Sequence, residues 1–331
     1  MGFGNFTEIC TRAAVPLCSV VGSISTIAGS HGVEADCYAR NIDVANTIIF
    51  QGATCIIHII ALVMCVIMIL HIRSKFTAVG RKEIIFFFYI YMVLTFLSLI
   101  LDAGVVPPGS GAQPYFIAVQ NGFTSALCAC LLINGFVGFQ LYEDGTTLSV
   151  WLLRVVTSAM FVVTFLVSLG TFKGWSGLGP TKGVGLFVVL YLVSAIELFI
   201  YVVMQIILVV NTLQDRWPLG DIAFGVLLFV VGQIMMYVFG NQICEAVEHY
   251  LDGLFFSTLC NLGAVMMVYK YWDSITREDL EFSVGTKQNN WEVKELLPED
   301  DHGEYQETEY SSTMYNNANH GRNSNYGGFT Y

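Results

Sequence analysis

Residues 46–72 read NTIIFQGATCIIHIIALVMCVIMILHI, a run without a single Asp, Glu, Lys or Arg. A helix needs about 20 mostly apolar residues to cross a bilayer, and six more runs of this kind follow. Hydrocarbon offers the backbone no hydrogen-bond partners, so we expect each run to form a helix. The predicted spans lie at about 46–72, 84–104, 117–142, 149–170, 184–210, 219–240 and 250–271. The predicted fold class is therefore an all-α polytopic membrane protein, a bundle of seven transmembrane helices.

The composition agrees with this fold class and divides the chain into three parts. Hydrophobic residues make up 55% of the chain and charged residues 12%, and the mean hydropathy of +0.62 is unlike that of an ordinary soluble domain. Residues 272–331 hold twelve acidic and four basic residues, so this tail carries −8 of the formal net charge of −11. So polar a segment buries too little apolar area to offset its ordering entropy. We predict an N-terminal segment (1–45), a membrane domain (46–271) and an acidic, largely disordered tail (272–331).

Basic residues in the short loops predict the orientation, because Lys and Arg accumulate on the cytosolic side of a membrane. The loop after the first span contains Arg73, Lys75, Arg81 and Lys82, whereas the next loop contains no basic residue. When the alternation is continued, one side collects eight basic residues near the membrane and the other side three. The sequence thus predicts a lumenal N-terminus and a cytosolic tail.

Four of the nine cysteines fall on the side assigned to the lumen: Cys10, Cys18, Cys37 and Cys244. Because the lumen is oxidising, these four are candidates for disulfides, and four cysteines allow three pairings. A bridge to Cys244 would tie the N-terminal segment to the last lumenal loop. The alternative is that all four are free, small apolar side chains. The sequence Asn-Phe-Thr at residues 5–7 makes Asn5 a candidate glycosylation site on the same side.

Polar side chains inside the predicted spans are candidates for function, because burying them in hydrocarbon is costly. Glu197 lies in the middle of the fifth span, His58 is similarly central in the first, and Asn134 lies in the third. One interpretation is a pathway for protons or a ligand; the other, which we favour, is hydrogen bonding between helices. We expect Glu197 to be neutral or hydrogen-bonded to another helix, with His58, Asn134 and Gln233 as candidate partners.

Sequence motifs for catalysis, cofactors and metals are missing. The six histidines form neither a His-x-x-x-His nor a His-Glu-x-x-His pattern, and phosphate loops and nucleophile elbows are also absent. Glu245, Glu248 and His249 lie close in sequence, but a hydrated loop explains them better than a cation site. We predict no catalytic residue, no cofactor, no metal and no nucleic-acid partner, and hence a protein that is not an enzyme.

Seven spans with an external N-terminus leave a heptahelical receptor or a small-solute transporter as the alternative class of function. A retinal protein is excluded, because it needs a Lys in the middle of its last helix and Lys270 lies at the predicted cytosolic end. The span count alone does not choose between the remaining classes.

The tail contains a short pattern of the kind that vesicle coat proteins read. Asp279-Leu280-Glu281 follows the last span by about eight residues and fits an acidic-x-acidic export signal. Asp279 and Glu281 are therefore candidate signal residues, and coat proteins are candidate partners. In so acidic a tail the same pattern is also expected by chance.

The opening of the chain carries the most specific resemblance. Residues 3–10 read FGNFTEIC and residues 16–20 read PLCSV, and this phrase resembles the start of the fungal chitin synthase export chaperones. The chain also resembles this family in its seven spans, its lumenal N-terminus, its basic first loop and its acidic tail.

The resemblance implies a multi-pass chaperone of the endoplasmic reticulum membrane. Its client would be a newly made chitin synthase, which it would help to fold and be exported towards the cell surface, in support of cell-wall chitin synthesis. The chaperone would contact membrane lipids and could accompany its client to the plasma membrane. The family supplies no catalytic residues to transfer.

Overall fold

The structure is a computed structural model that describes residues 4, 6–22, 32–44, 47–76, 78–137, 146–212 and 216–295, with side chains as far as Thr276. The chain forms two compact units, Met1–Asp279 and Leu280–Tyr331. The candidate glycosylation site Asn5 lies outside the described residues, as do the tail residues 296–331.

Within the described ranges, seven helices are long and apolar enough to cross a bilayer, as the hydropathy pattern predicts. The elements in chain order are α1 (Thr7–Arg12), β1 (Ile42–Val44), β2 (Thr47–Ile49), α2 (Gly52–Ser74), α3 (Arg81–Asp102), α4 (Gln113–Val137), α5 (Thr147–Lys173), α6 (Val184–Phe187), α7 (Ser194–Thr212), α8 (Trp217–Tyr237), α9 (Gly240–Ala246) and α10 (Gly253–Glu295). Helix α4 is the centre of the bundle: it packs against α3, α5 and α7, and 50% of its apolar window is buried, against 17% for α5.

The first span begins at Gly52 and not at residue 46 as predicted. Strand β2 occupies Thr47–Ile49 and pairs antiparallel with β1, because β-branched residues favour an extended backbone. Gln51 then adopts a left-handed conformation with φ of 46°, which separates the strand from the helix. The hydrophobicity of 47–50 therefore serves a hairpin at the end of the bundle.

The last helix also differs from the prediction. Helix α10 continues to Glu295, whereas the apolar span ends at Thr276, so residues 272–295 are helical where the sequence analysis predicts disorder. An established helix extends without a new nucleation cost, and Glu and Lys are good helix formers. Asp279 and Glu281 thus lie on a helical backbone.

The fifth span is interrupted by a π-helical turn at Val188–Val193 between α6 and α7. Such turns insert one extra residue into the helix and are frequent at functional sites. The turn places the Tyr191 hydroxyl 3.3 Å from that of Tyr237 on α8. The widened turn therefore joins the fifth span to the sixth.

The N-terminal segment is inserted into one end of the bundle, which we call the N-terminal face. The Phe6 ring packs edge-on against Phe187, with 6.2 Å between ring centroids, and lies 6.2 Å from the ring of Tyr191. A Cβ atom at Gly183 would lie 2.5 Å from the Phe6 ring, so that glycine leaves the room the ring needs. The buried cluster around Phe6 combines residues of the segment with residues from four spans: Cys10, Leu17, Cys18, Val20, Val21, Leu101, Ile117, Ala118, Leu169, Phe172, Leu186 and Leu190. The segment is thus part of the core.

At the opposite end, which we call the tail face, the first loop holds the base of the tail. Lys75 forms an ion pair with Asp273, and its Nζ lies 5.8 Å from the centre of the Trp272 ring. The Trp272 indole donates a hydrogen bond of 3.1 Å to the carbonyl of Val79. These contacts fix the helix at the point where the acidic tail begins.

Phe6→Ala tests whether the N-terminal segment is part of the core. Phe6 is 4% exposed, and truncating a buried Phe costs about 3–5 kcal/mol, so we expect a clear loss of thermal stability in detergent, measured by fluorescence-detected size-exclusion chromatography. Phe199→Ala is the matched control, because Phe199 is 70% exposed on α7. Equal stability of the two variants would contradict the insertion.

Candidate functional site

The four cysteines assigned to one side come together on the N-terminal face in two bridges. Cys10 and Cys18, which flank the turn after α1, are bonded with 5.5 Å between their Cα atoms. Cys37 and Cys244 are bonded with 6.2 Å between Cα atoms and 207 residues between them in sequence. The second bridge joins the N-terminal segment to α9. The other five cysteines lie in the spans and are unbridged.

A buried histidine–aspartate hydrogen bond links the first two spans near the N-terminal face. The His58 Nε2 atom lies 2.9 Å from an Asp102 carboxylate oxygen, and both residues are 6% exposed. His58 is not central in its span as predicted: α2 begins at Gly52, so six residues of helix, about 9 Å, separate it from the helix start. Because α3 ends at Asp102, the two side chains meet at the same level. The sequence pattern did not indicate Asp102 as a partner of His58, because Asp102 lies at the last position of its helix.

A third ionisable group lies at the same end of the bundle. Asp252 is 4% exposed and caps α10 by accepting a hydrogen bond of 3.0 Å from the backbone N–H of Phe255. Burial raises the pKa of the Asp252 carboxyl, the cap hydrogen bond lowers it, and the Asp102 carboxylate nearby raises it again. Two carboxyl groups therefore share this region with a single imidazole.

Glu197 occupies the predicted position in the middle of the fifth span, Val184–Asn211. It is 9% exposed, and its Oε2 atom has no hydrogen-bond partner among the described residues. It lies close enough to Cys128 on α4 for the two groups to interact electrostatically. The carboxyl group thus faces the central helix of the bundle.

The three polar residues proposed as partners of Glu197 have other partners. His58 pairs with Asp102, the Asn134 amide donates to the Cys130 sulfur at 3.6 Å, and the Gln233 amide donates to the Asn261 oxygen at 3.5 Å. The interhelical bond that joins α7 to α10 is instead donated by the Tyr271 hydroxyl to Gln205, at 2.6 Å. Hydrogen bonds between spans are therefore present, but with pairings that sequence did not predict.

Two glycines of the spans, Gly135 and Gly232, lie at close contacts within the bundle. A Cβ atom at Gly135 would lie 3.0 Å from Gln205 and Tyr201, and one at Gly232 would lie 2.9 Å from the Cβ of Cys260. These glycines bring spans of the same chain together and leave no room for a client. The exposed apolar side chains are elsewhere, on the outer faces of several spans. On α5 they are Leu148, Trp151, Leu152, Val155, Val162, Val163 and Leu166.

Metal-ligand geometry occurs once among the described residues, at Cys37, Cys244 and His249. The two sulfurs of this group are bonded to each other, so they are not thiolate ligands in this state. Glu245 and Glu248, which the sequence placed beside His249, are not part of the group. The chemistry of this cluster is therefore that of a bridge beside an imidazole.

Comparison with known proteins agrees with the opening phrase and the seven spans. The family model described as chitin synthase export chaperone matches residues 2–286. The chain belongs to the chitin synthase export chaperone family. The match takes in the inserted N-terminal segment, all seven spans and the acidic motif at 279–281. The family is one of chaperones and not of enzymes.

Individual relatives match over nearly their whole length. A chitin synthase export chaperone from Aspergillus fumigatus is 66% identical over 335 residues, which covers 100% of both chains. Relatives of the same name from Gibberella zeae and Fusarium oxysporum f. sp. lycopersici are 66% and 68% identical, and cover 98% and 91% of this chain and 95% and 90% of their own. No solved structure matches the chain.

The buried pair of this family member can be tested by removing one partner at a time. Removing one partner leaves the other polar group buried without this hydrogen bond, which costs about 1–3 kcal/mol. We therefore expect His58→Ala and Asp102→Ala each to lower the thermal stability, and the double variant to lower it by less than the sum. Asp43→Ala is the matched control, since Asp43 is exposed on the same face. Additive losses would show that the two side chains do not interact.

Proposed function

We propose that this protein is a chaperone of the endoplasmic reticulum membrane that helps a newly made chitin synthase to fold and be exported towards the cell surface, in support of cell-wall chitin synthesis. The observation that carries the proposal is 66% identity with a chitin synthase export chaperone over 100% of both chains. Identity of this extent includes the inserted segment and the bundle alike, so the relatives and this chain share the parts that any such activity would use.

The structure supports a binding role within the bilayer. Only 17% of the most apolar stretch of α5 is buried, the same share as in the last span, and the outer face of α5 presents bulky side chains such as Trp151, which is 64% exposed. A polytopic client whose spans are not yet assembled exposes apolar and small-residue faces that pack laterally against such a surface. We propose α5 as a client-facing helix; the contact would shield the client until its own spans have packed.

The orientation we propose has the N-terminal face in the lumen and the tail face in the cytosol. Lys75, Arg73 and Lys270 lie at the tail face, as the positive-inside rule requires, while the two bridges lie at the opposite face, where an oxidising lumen would stabilise them. A glycosylation reporter fused after Tyr331 that acquires glycans would overturn this orientation.

The tail is the proposed site of coat-protein binding. Asp279 and Glu281 lie on α10 shortly after the span that ends at Thr276. The Lys75–Asp273 ion pair and the Trp272 hydrogen bond to the first loop hold the base of this helix. The proposed signal would therefore begin at a fixed point of the membrane domain. Passage to the plasma membrane together with the client would follow from this role.

Replacing the corresponding gene of a fungal host tests the chaperone function. We expect fluorescent chitin synthase to be retained in the endoplasmic reticulum of the deletion strain, and to reach the surface again when this chain is expressed. An unrelated polytopic surface protein is the control and should be delivered normally in both strains. Normal synthase delivery and normal cell-wall chitin in the deletion strain would end the proposal.

Glu197 separates the chaperone from a proton-coupled transporter, the function that an unpartnered carboxyl at mid-span would otherwise favour. Glu197→Gln keeps the shape and hydrogen-bonding capacity of the side chain and removes its titrating proton. For a chaperone we expect this variant to accumulate and support synthase export, whereas Glu197→Leu should accumulate less. Both are measured by immunoblot and by synthase localisation in the deletion strain. A well-folded Gln variant that fails in export would favour the transporter.

A further inference from the structure

The bridge between Cys37 and Cys244 is the covalent link between two pieces of chain that noncovalent contacts also join. Asn241 at the start of α9 donates to the backbone carbonyl of Thr11 at 3.3 Å and to the Asp36 carboxylate at 3.1 Å. The Arg40 guanidinium lies 4.9 Å from the centre of the Tyr250 ring. We call the disulfide between the stretch around Cys37 and α9 the clasp.

An imidazole lies on the sulfurs of the clasp. The His249 Nδ1 atom is 3.1 Å from the Cys37 sulfur and 3.6 Å from the Cys244 sulfur. His249 is itself exposed. One ring nitrogen is thus within hydrogen-bonding reach of both atoms of the disulfide.

The backbone holds His249 in this place by an uncommon conformation. Glu248 and His249 have φ of 51° and 66°, two consecutive non-glycine residues in the left-handed region, which is disfavoured for side chains of this size. The backbone N–H of His249 donates to the Cys244 carbonyl at 2.9 Å, and the N–H of Arg40 donates to the His249 carbonyl at 2.7 Å. Strained residues held by their surroundings concentrate at functional sites, and here the strained pair aims an imidazole at a bridge.

The second bridge provides a comparison within the same molecule. Cys10 and Cys18 are 1% and 5% exposed, and Cys244 and Cys37 are 1% and 6% exposed, so the two bridges are matched in burial. The Cys18 sulfur lies 3.7 Å from the carbonyl of Ala13, and no described histidine contacts either sulfur of that bridge. The two bridges therefore have nearly the same exposure to solvent, but only the Cys37–Cys244 bridge has a described imidazole beside it.

We propose that the clasp is a thiol–disulfide exchange site for a small thiol of the glutathione class, and that His249 promotes the exchange. A positively charged or hydrogen-bond-donating group next to a sulfur stabilises its thiolate and makes it a better leaving group. The Cys10–Cys18 bridge lacks this group among the described residues and is the structural bridge of the pair.

The exchange balances as two successive displacements. The thiolate of the incoming thiol attacks the less buried Cys37 sulfur, the Cys37–Cys244 bond breaks, and its electron pair leaves on Cys244. The His249 Nδ1 atom also lies 3.2 Å from the carbonyl oxygen of Tyr38, which can only accept, so Nδ1–H is a donor that can stabilise the sulfur. A second thiolate attacks the mixed disulfide, which releases Cys37 as a thiolate and the small molecule as its disulfide. The chain gains two electrons and, after protonation of both thiolates, two protons. The same steps in reverse close the clasp.

Opening the clasp would change one part of the molecule and leave the rest in place. Phe6, Leu17 and their neighbours remain buried in the core of the N-terminal face, so the first part of the segment stays inserted. The stretch around Cys37 would then be joined to α9 and the residues after it by noncovalent contacts only. The outer part of this face would thus change when the clasp is reduced or oxidised, according to the thiol–disulfide ratio of its compartment. The bundle would stay folded.

The test compares the two bridges of the purified full-length chain in detergent. The protein is incubated with glutathione, free thiols are alkylated at intervals, and each cysteine-containing peptide is quantified by mass spectrometry. We expect the clasp to be reduced at least tenfold faster than the Cys10–Cys18 bridge. Equal or slower reduction of the clasp, or free thiols at Cys37 and Cys244 in the protein as purified, would overturn the proposal.

Variants then assign the effect to the imidazole. His249→Gln keeps a polar side chain and removes the ring, so we expect it to slow clasp reduction about tenfold and to leave the Cys10–Cys18 bridge unchanged. His71→Gln is the matched control and should change neither rate, because His71 is also an exposed histidine but lies at the tail face, near the end of α2. An unchanged clasp rate in the His249 variant would remove the imidazole from the proposal. If that variant does not fold, the comparison of the two bridges in the unmodified chain still decides.

Discussion

Hydrocarbon accepts no unpaired polar group without a large cost, and this constraint shapes every part of the membrane domain. It makes each long apolar run a helix, because only a helix satisfies its backbone within the segment. It also explains why His58 meets Asp102 and why Tyr271 donates to Gln205. Glu197 is the acidic residue at mid-span, and its Oε2 atom has no hydrogen-bond partner among the described residues, which makes its carboxyl group an informative one to replace.

The two ends of the bundle are stabilised by different kinds of interaction. At the N-terminal face, an inserted segment with Phe6 at its centre closes the space between four spans, and two bridges hold the surrounding loops. At the tail face, the basic first loop contacts α10 through the ion pair of Lys75 with Asp273 and the hydrogen bond of Trp272 to the Val79 carbonyl. One end is therefore stabilised mainly by apolar burial and covalent bonds, and the other by charge pairs and hydrogen bonds in an aqueous boundary.

Membership of a chaperone family fits a bundle whose polar side chains mainly form hydrogen bonds within the bundle itself. Gly135 and Gly232 are in close contact with neighbouring spans, and the described residues hold metal-ligand geometry only where two sulfurs are already bonded. The outer surface of the bundle is apolar on several spans, α5 among them. A surface of this kind suits transient lateral contact with another membrane protein, since packing in lipid depends on shape more than on hydrophobicity.

The sequence by itself determined the fold class, the seven spans, the mid-span position of Glu197 and the set of four cysteines on one side, because all of these follow from local hydropathy and from alternation across a membrane. Only the tertiary structure decided which side chains meet. Hydropathy does not distinguish a strand such as Thr47–Ile49 from the start of a helix, so the level of His58 and its pairing with Asp102 were out of reach. The choice among three cysteine pairings, the insertion of Phe6 beside Gly183 and the place of His249 on the clasp depend on contacts between residues far apart in sequence. A one-dimensional pattern contains no distance between such residues, and packing supplies it.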